Sequence, residues 1–166
     1  MATEFFSIGL VPGKAQIRIE AKVDYEFSYV LDSNTNLIHE NEFYVDQGKN
    51  WFDIVRFQDI PNFAISQKVK NLFEENDITG WTSFPIIIQE HNDKTYYGFQ
   101  ILSKAGKILN LENLSNYIDE FVDFDINTWD GSEIFTLEET GITACTSKVK
   151  ELCENTKITN IKFDRL

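Results

Sequence analysis

The chain has 166 residues, of which 42% are hydrophobic and 14% aromatic, so it is long enough and apolar enough to fold around a core. Its 27 acidic and 15 basic residues give a formal net charge of −12, which disfavours nucleic acids and anionic membrane surfaces as partners. It contains no apolar run of about 18 residues and no secretory signal pattern, so we expect a cytoplasmic protein without a membrane span.

The N-terminal part of the chain is dominated by strand patterns. Residues 5–10 form an apolar run before a Pro-Gly turn and predict a first strand. Residues 17–29 alternate between apolar and polar side chains and predict a strand of about 43 Å, a length at which we expect a bend or break. Residues 42–45 predict a short strand, whereas residues 51–57 are compatible with either an extended segment or a short helix.

Two segments eighty positions apart have nearly the same sequence. Residues 68–79 and 148–159 align without gaps and are identical at seven of twelve positions. Ser66 and Thr146 stand at matching places where a helix N-cap is expected, and apolar side chains follow at helical spacing in both copies. We therefore predict an internal repeat of a helix followed by a strand, covering residues 66–89 and 146–165.

The same alignment indicates the role of the two cysteines. Cys145 aligns with Ile65 and Cys153 with Phe73, so each thiol occupies a position that is apolar in the other copy. We predict that both thiols pack in the core rather than forming a disulfide or a metal site.

The remaining elements complete the predicted fold. Residues 84–88 lack polar alternation and predict a strand covered on both faces, although Pro85 favours a sheet edge. Residues 95–102 predict its hairpin partner, and residues 110–121 predict a helix with one apolar face. We expect one α+β domain over residues 1–166, in which a twisted, mostly antiparallel sheet packs against about three helices.

The search for reactive chemistry finds no catalytic residue, metal site or cofactor motif. Residues 123–131 carry oxygen ligands at every second position, as a calcium loop does, but Thr128 and Ile134 stand where such a loop needs glycine and a bidentate carboxylate. We therefore predict no metal, and interpret the segment as a strand with outward carboxylates followed by an Asp-Gly turn. Paired acids elsewhere are expected of any chain this acidic.

The same region supplies the candidate partner-binding residues. Trp129 stands among carboxylates, and an exposed aromatic residue in such a setting suits a basic protein partner, whereas a Trp half-buried in the core is the competing interpretation. An acidic surface on an ordinary soluble bacterial protein also explains the charge. The candidate set is Asp119, Glu120, Asp123, Asp125, Trp129, Asp130 and Glu133.

Two sequence blocks resemble a family of predicted immunity proteins that accompany bacterial polymorphic toxin systems. The first block begins with residues 63–72 and continues through Thr-Gly-Trp at residues 79–81 to Pro85. The second block is Trp-Asp-Gly-Ser-Glu-Ile-Phe at residues 129–135, followed by residues 147–163. The resemblance covers roughly residues 50–166, and Glu133 stands where the family has aspartate. It implies a non-catalytic protein that neutralises a cognate toxin, and the charge suits a basic toxin domain.

Two other classes of function remain open. One is a small enzyme that uses a carboxylate-based site between the two repeats. The other is a small-molecule-binding domain with an aromatic pocket.

Overall fold

The computed structural model describes residues 3–13, 15–22, 42–58, 63–109 and 122–166, and within these ranges it is an α+β structure dominated by antiparallel sheet. Two α-helices, α1 (Gln67–Glu75) and α2 (Ser147–Asn155), and a 3-10 helix (Ile126–Thr128) lie in this part of the chain. The strands are β1 (Phe5–Leu10), β2 (Arg18–Ala21), β3 (Phe43–Gln47), β4 (Ile54–Phe57), β5 (Phe63–Ser66), β6 (Trp81–Ile86), β7 (Tyr96–Ile101), β8 (Lys107–Ile108), β9 (Phe124–Asp125), β10 (Ile134–Thr136), β11 (Thr143–Thr146) and β12 (Ile161–Arg165).

Both helices begin where the sequence predicts, but only one of them has its side-chain cap. The Ser66 hydroxyl accepts a hydrogen bond from the Val69 N–H at 3.4 Å, which satisfies one of the unpaired donors of the first turn of α1. Thr146 has the same extended backbone before α2 but makes no side-chain cap. The predicted third helix, residues 110–121, lies outside the described residues.

Several strand predictions agree with the structure, but β3 extends two residues past the predicted end at 45, the segment 123–131 is a strand only at Phe124–Asp125 and then turns into the 3-10 helix, and β6 lies at an edge. β1, β7 and β12 lie where the patterns place them, and residues 54–57 are a strand rather than a helix. β2 covers only the start of the predicted strand, whose residues 23–29 are not among those described. β6 is an edge strand instead of an interior one, because Pro85 cannot donate to a ladder and its side chain is exposed.

The strands form two main sheets and one ribbon. The first sheet has the order β3-β2-β4-β5-β7-β6, the second β10-β11-β1-β12, and the ribbon consists of β8 and β9. All pairs are antiparallel except β2 with β4.

The two helices occupy equivalent places in their sheets. Each helix connects two strands that pair with the same third strand. Helix α1 connects β5 and β6, which lie on either side of β7, and α2 connects β11 and β12, which lie on either side of β1. β7 follows β6 through a hairpin, whereas β1 comes from the N-terminus of the chain. The sheet that carries α2 is therefore completed by residues more than 130 positions away in sequence, as the pairing of Phe5 with Thr146 shows.

One hydrophobic cluster is shared by both sheets and both helices. Val69 and Phe73 from α1 lie in the same cluster as Val149 and Cys153 from α2. Cys145 and Cys153 are 0% and 1% exposed, and neither forms a disulfide, which confirms the predicted core packing of both thiols. Two further clusters cover the opposite faces of the first and second sheets.

Candidate partner-binding surface

Five of the seven candidate partner-binding residues lie in the described segment 122–166. Asp119 and Glu120 lie outside the described residues. Asp123 and Asp130 are exposed, whereas Asp125, Trp129 and Glu133 are half-buried. The five residues therefore divide into a group that faces solvent and a group that is engaged in internal contacts.

Asp123 and Asp125 belong to the two-stranded ribbon. The Leu109 N–H donates to the Asp123 carbonyl oxygen at 3.0 Å, and Lys107 stands opposite Asp125 in the β8–β9 register. Ile108 and Phe124 turn inward and pack in the cluster that covers the second sheet. The alternation of β-strands thus directs the neighbouring residues of the ribbon toward solvent.

Two large apolar side chains on this ribbon are exposed. Leu109 is 63% exposed and Ile126, the residue that follows Asp125, is 51% exposed. We call Leu109, Asp123, Asp125 and Ile126 the acidic ribbon. Sequence reasoning did not single out Leu109 or Ile126, because an isolated apolar residue carries no local signal that distinguishes a surface position from a core one.

Asp125 also has a local structural role. Its carboxylate accepts the Asn127 N–H at 3.0 Å and the Asn127 side-chain amide at 2.9 Å, which caps the 3-10 helix. An amide oxygen can accept the same bonds, so Asp125→Asn removes the charge while keeping an acceptor at the cap.

Trp129 is half-buried and packs against the cluster that covers the second sheet. Its indole N–H donates to the Ser132 carbonyl oxygen at 2.9 Å, and its ring meets Phe5 edge-on with 5.0 Å between ring centres. Asp130 accepts the Ser103 hydroxyl at 2.6 Å and the Ser132 N–H at 3.0 Å. Burial acts to raise the pKa of Asp130, but these hydrogen bonds outweigh it and hold the pKa below its usual range.

Glu133 forms one of two equivalent contacts between the part of the chain around α1 and the part around α2. Its carboxylate accepts the Thr79 N–H at 2.8 Å, the Thr79 hydroxyl, and the Lys148 ammonium at 3.0 Å. Asp53 makes the equivalent contacts on the other side: it accepts the Thr159 N–H and the Thr159 hydroxyl, each at 2.9 Å. We call the pairs Glu133–Thr79 and Asp53–Thr159 the two clasps.

Both clasp carboxylates are held ionised. Partial burial acts to raise the pKa of Asp53, but hydrogen bonds from Thr159 and Ser66 and the charge of Lys68 outweigh it, so the pKa lies below its usual value of 3.8. The same balance of burial against hydrogen bonds from Thr79 and Lys148 places the pKa of Glu133 below its usual value of 4.5. Both carboxylates thus stabilise the folded state in their charged form.

The clasps make acid sensitivity an expected property. A carboxyl whose pKa is lowered by folding adds stability above its unfolded pKa, and that stability is lost as the pH falls through the folded pKa. We therefore expect a stability that decreases below about pH 4.5. Asp53→Asn with Glu133→Gln should flatten this decrease in urea unfolding measured between neutral pH and about pH 3.

The exposed carboxylate of Asp93, 71% exposed in its ion pair, provides the control for this measurement. Asp93→Asn should leave the pH dependence of the unfolding free energy as it is in the wild type. An unchanged slope in the clasp double variant would contradict the assignment of acid sensitivity to the clasps.

Open grooves lie beside the C-terminal end of each helix. The groove at α1 has a volume of about 570 Å³, with Phe73, Ile78 and Trp81 on its floor. The groove at α2 has a volume of about 280 Å³, with Cys153, Ile158, Ile161 and Phe163 on its floor. Charged residues rim both grooves.

Within the described ranges, no group of three or more His, Cys, Asp and Glu residues is placed to hold a metal ion. The helices of those ranges are all too short or too polar to cross a membrane. A comparison with protein-family models and with curated proteins finds no match to this chain.

Proposed function

We propose that this chain is a non-catalytic, acidic binding module that neutralises a basic toxin domain in the cytoplasm of the bacterium that produces both. Three lines support this proposal: the sequence blocks around Trp81 and Trp129, the net charge of −12, and the acidic ribbon. The charge raises the association rate with a cationic partner through long-range steering.

The single observation that carries the proposal is the composition of the acidic ribbon. Protein-binding surfaces combine exposed apolar anchors, which lose contact with water in the complex, with charged groups that select the partner. Leu109 and Ile126 supply the apolar groups, and Asp123 and Asp125 supply the charges, within or directly beside the two short strands β8 and β9. Trp129, Asp130 and Glu133 make internal contacts with Ser132, Ser103 and Thr79 and are therefore not part of this surface.

The carboxylates between the two units favour a structural role over an enzymatic one. Asp53 and Glu133 each accept several internal hydrogen bonds, and the pKa of each is lowered. A general base or acid needs a pKa near the working pH. For a carboxyl group this means a raised pKa, which burial and nearby like charges produce, whereas the pKa of both clasp carboxylates is lowered. Their environment is therefore suited to holding the fold together.

The binding proposal predicts the effect of removing the ribbon charges. The double variant Asp123→Asn and Asp125→Asn should lower the association rate with the toxin domain encoded beside this gene by about fivefold to tenfold at low ionic strength. Stopped-flow fluorescence measures the rate, and growth of cells expressing the toxin measures protection. Ile126→Ser should act instead on the dissociation rate, because it removes apolar contact area.

The matched control removes the same charge elsewhere. Glu75→Gln with Glu151→Gln neutralises two exposed carboxylates on α1 and α2. We expect a smaller loss of association rate, because these residues contribute to the overall field but lie off the ribbon. Equal losses in the two double variants would reject the ribbon as the binding face, and no protection by the wild type would reject the immunity function itself.

We also propose that the two helix-bearing units, residues 66–89 and 146–165, descend from one duplicated ancestor. Support comes from the nine-residue length of both helices, the positive φ of Asp77 and Lys157 after them, and the reciprocal clasps. The acid of each clasp precedes a strand by one position, at Asp53 before β4 and Glu133 before β10, again eighty residues apart.

A further inference from the structure

β12 is the outer strand of the second sheet. Among the residues that the structure describes, it pairs with β1 on one side only, and the strand order of that sheet ends with it. The opposite edge strand, β10, is covered: the Thr136 N–H donates to the Ser103 carbonyl oxygen at 2.9 Å and the Ile134 N–H to the Thr79 carbonyl oxygen at 3.1 Å. An open edge strand is a template for pairing with another chain.

The charges on β12 are self-complementary. Lys162 and Asp164 are exposed, stand on the same face on either side of Phe163, and form an ion pair with each other at 2.7 Å within the strand, so pairing between two copies exchanges this contact in each copy for two between the copies. If two β12 strands run antiparallel with Phe163 opposite Phe163, Lys162 of each copy stands opposite Asp164 of the other. Two cross-strand ion pairs result, each of a kind that stabilises an antiparallel ladder.

The other face of β12 offers apolar contact in the same register. Ile161 and Phe163 are half-buried and lie on the floor of the groove beside α2. Pairing about Phe163 brings the two Phe163 rings together at the edges of the two grooves. The same register places Ile161 of each copy opposite Arg165 of the other, so the apolar contact on this face is the central Phe163 pair.

β6, which occupies the corresponding place in the first sheet, lacks these features. It carries Pro85, which has no N–H to donate, and its Phe84 is buried against the adjoining cluster instead of facing solvent. Edge charges of one sign would likewise repel a second strand. β12 differs because its two charges are opposite in sign and symmetric about one residue.

We propose that two copies of this chain associate through antiparallel pairing of their β12 strands, centred on Phe163, to form one continuous eight-stranded sheet. We choose a second copy as the partner of this edge because, in that register, Lys162 of each copy stands opposite Asp164 of the other. The surface is distinct from the acidic ribbon, so dimerisation leaves the proposed toxin-binding face on each copy.

Sedimentation velocity across a concentration series tests this proposal. The wild type should show a reversible monomer–dimer equilibrium. Lys162→Glu and Asp164→Lys should each raise the dimer dissociation constant about tenfold or more, because each places two pairs of like charges opposite one another. Circular dichroism confirms that each variant is folded.

Mixing the two variants separates contacts between copies from contacts within one copy. Lys162→Glu presents two negative charges and Asp164→Lys two positive charges, so an equimolar mixture should form a heterodimer as stable as the wild-type dimer or more so. A wild type that remains monomeric at its solubility limit would overturn the proposal. So would a dimer that neither variant weakens, or a mixture that stays monomeric.

Discussion

Replacing Gly80 with alanine is expected to lower the free energy of unfolding by about 3 kcal/mol or more. Gly80 has φ +88°, in the left-handed region that residues with a Cβ rarely adopt. A Cβ at this position would also lie 1.9 Å from the Ile134 carbonyl oxygen, so the Gly80 turn and β10 must move apart where Thr79 and Glu133 form their clasp. Chemical denaturation at neutral pH measures the loss.

Gly131 provides a matched control for this substitution. Its φ of +89° is nearly the same, but a Cβ there would meet nothing within 4 Å. Gly131→Ala should therefore cost only the conformational strain, about 1 kcal/mol. Similar losses in the two variants would show that backbone strain alone accounts for the effect and that the close approach of the two units does not.

Truncating a clasp carboxylate is expected to have a similarly large effect. Asp53→Ala should destabilise the protein by about 3 kcal/mol, because it leaves the Thr159 N–H and hydroxyl and the Ser66 hydroxyl without their acceptor. Thr159→Val removes the hydroxyl while keeping a similar shape. A double-mutant cycle between the two should give a coupling energy of about 1–3 kcal/mol in urea unfolding.

The reciprocal clasp makes this prediction testable twice. Glu133→Ala and Thr79→Val should show a coupling of the same sign and similar size, since in both clasps a carboxylate accepts the N–H and the hydroxyl of one threonine. Asp93→Ala, at an exposed carboxylate, should change the unfolding free energy by less than about 0.5 kcal/mol. Coupling near zero in both cycles would show that the clasps do not hold the two units together.

These stability variants also separate the fold from the proposed function. The clasp at Glu133 connects the residue before β10 to Thr79 and Lys148, so its loss acts on the contact between these segments. Asp123 is exposed, and an asparagine at position 125 keeps an acceptor for the Asn127 N–H, so the two ribbon substitutions leave the internal contacts in place. Substitutions at the ribbon should therefore change association with the toxin domain at nearly constant stability, and substitutions at the clasps should do the reverse.

The sequence indicated which residues of the candidate surface are acidic or aromatic, but it did not indicate which of them make internal contacts. The alternation of carboxylates predicted Asp123 and Asp125 on the outside of a strand, whereas the structure has Asp123 exposed just before β9 and Asp125 half-buried within it. Trp129 and Glu133 were chosen by the same reasoning and are instead tied to Ser132 and Thr79. A sequence pattern indicates that a residue is polar or aromatic, but its partner is chosen by whichever distant segment folds against it.

The sequence by itself determined the local elements of this protein. Helical spacing and the Ser66 cap set the bounds of α1, and the alignment with Ile65 and Phe73 placed Cys145 and Cys153 in the core. Such signals act over one helical turn or one strand, so they can be detected without knowing the rest of the fold.

Only the tertiary structure decided which distant segments meet. The insertion of β1 between β11 and β12, the edge position of β6, the reciprocal clasps and the exposure of Leu109 all depend on contacts between residues far apart in sequence. An apolar strand carries the same pattern wherever it pairs. The choice among possible neighbours follows from the burial and hydrogen bonding of the whole chain, which no local window of the sequence contains.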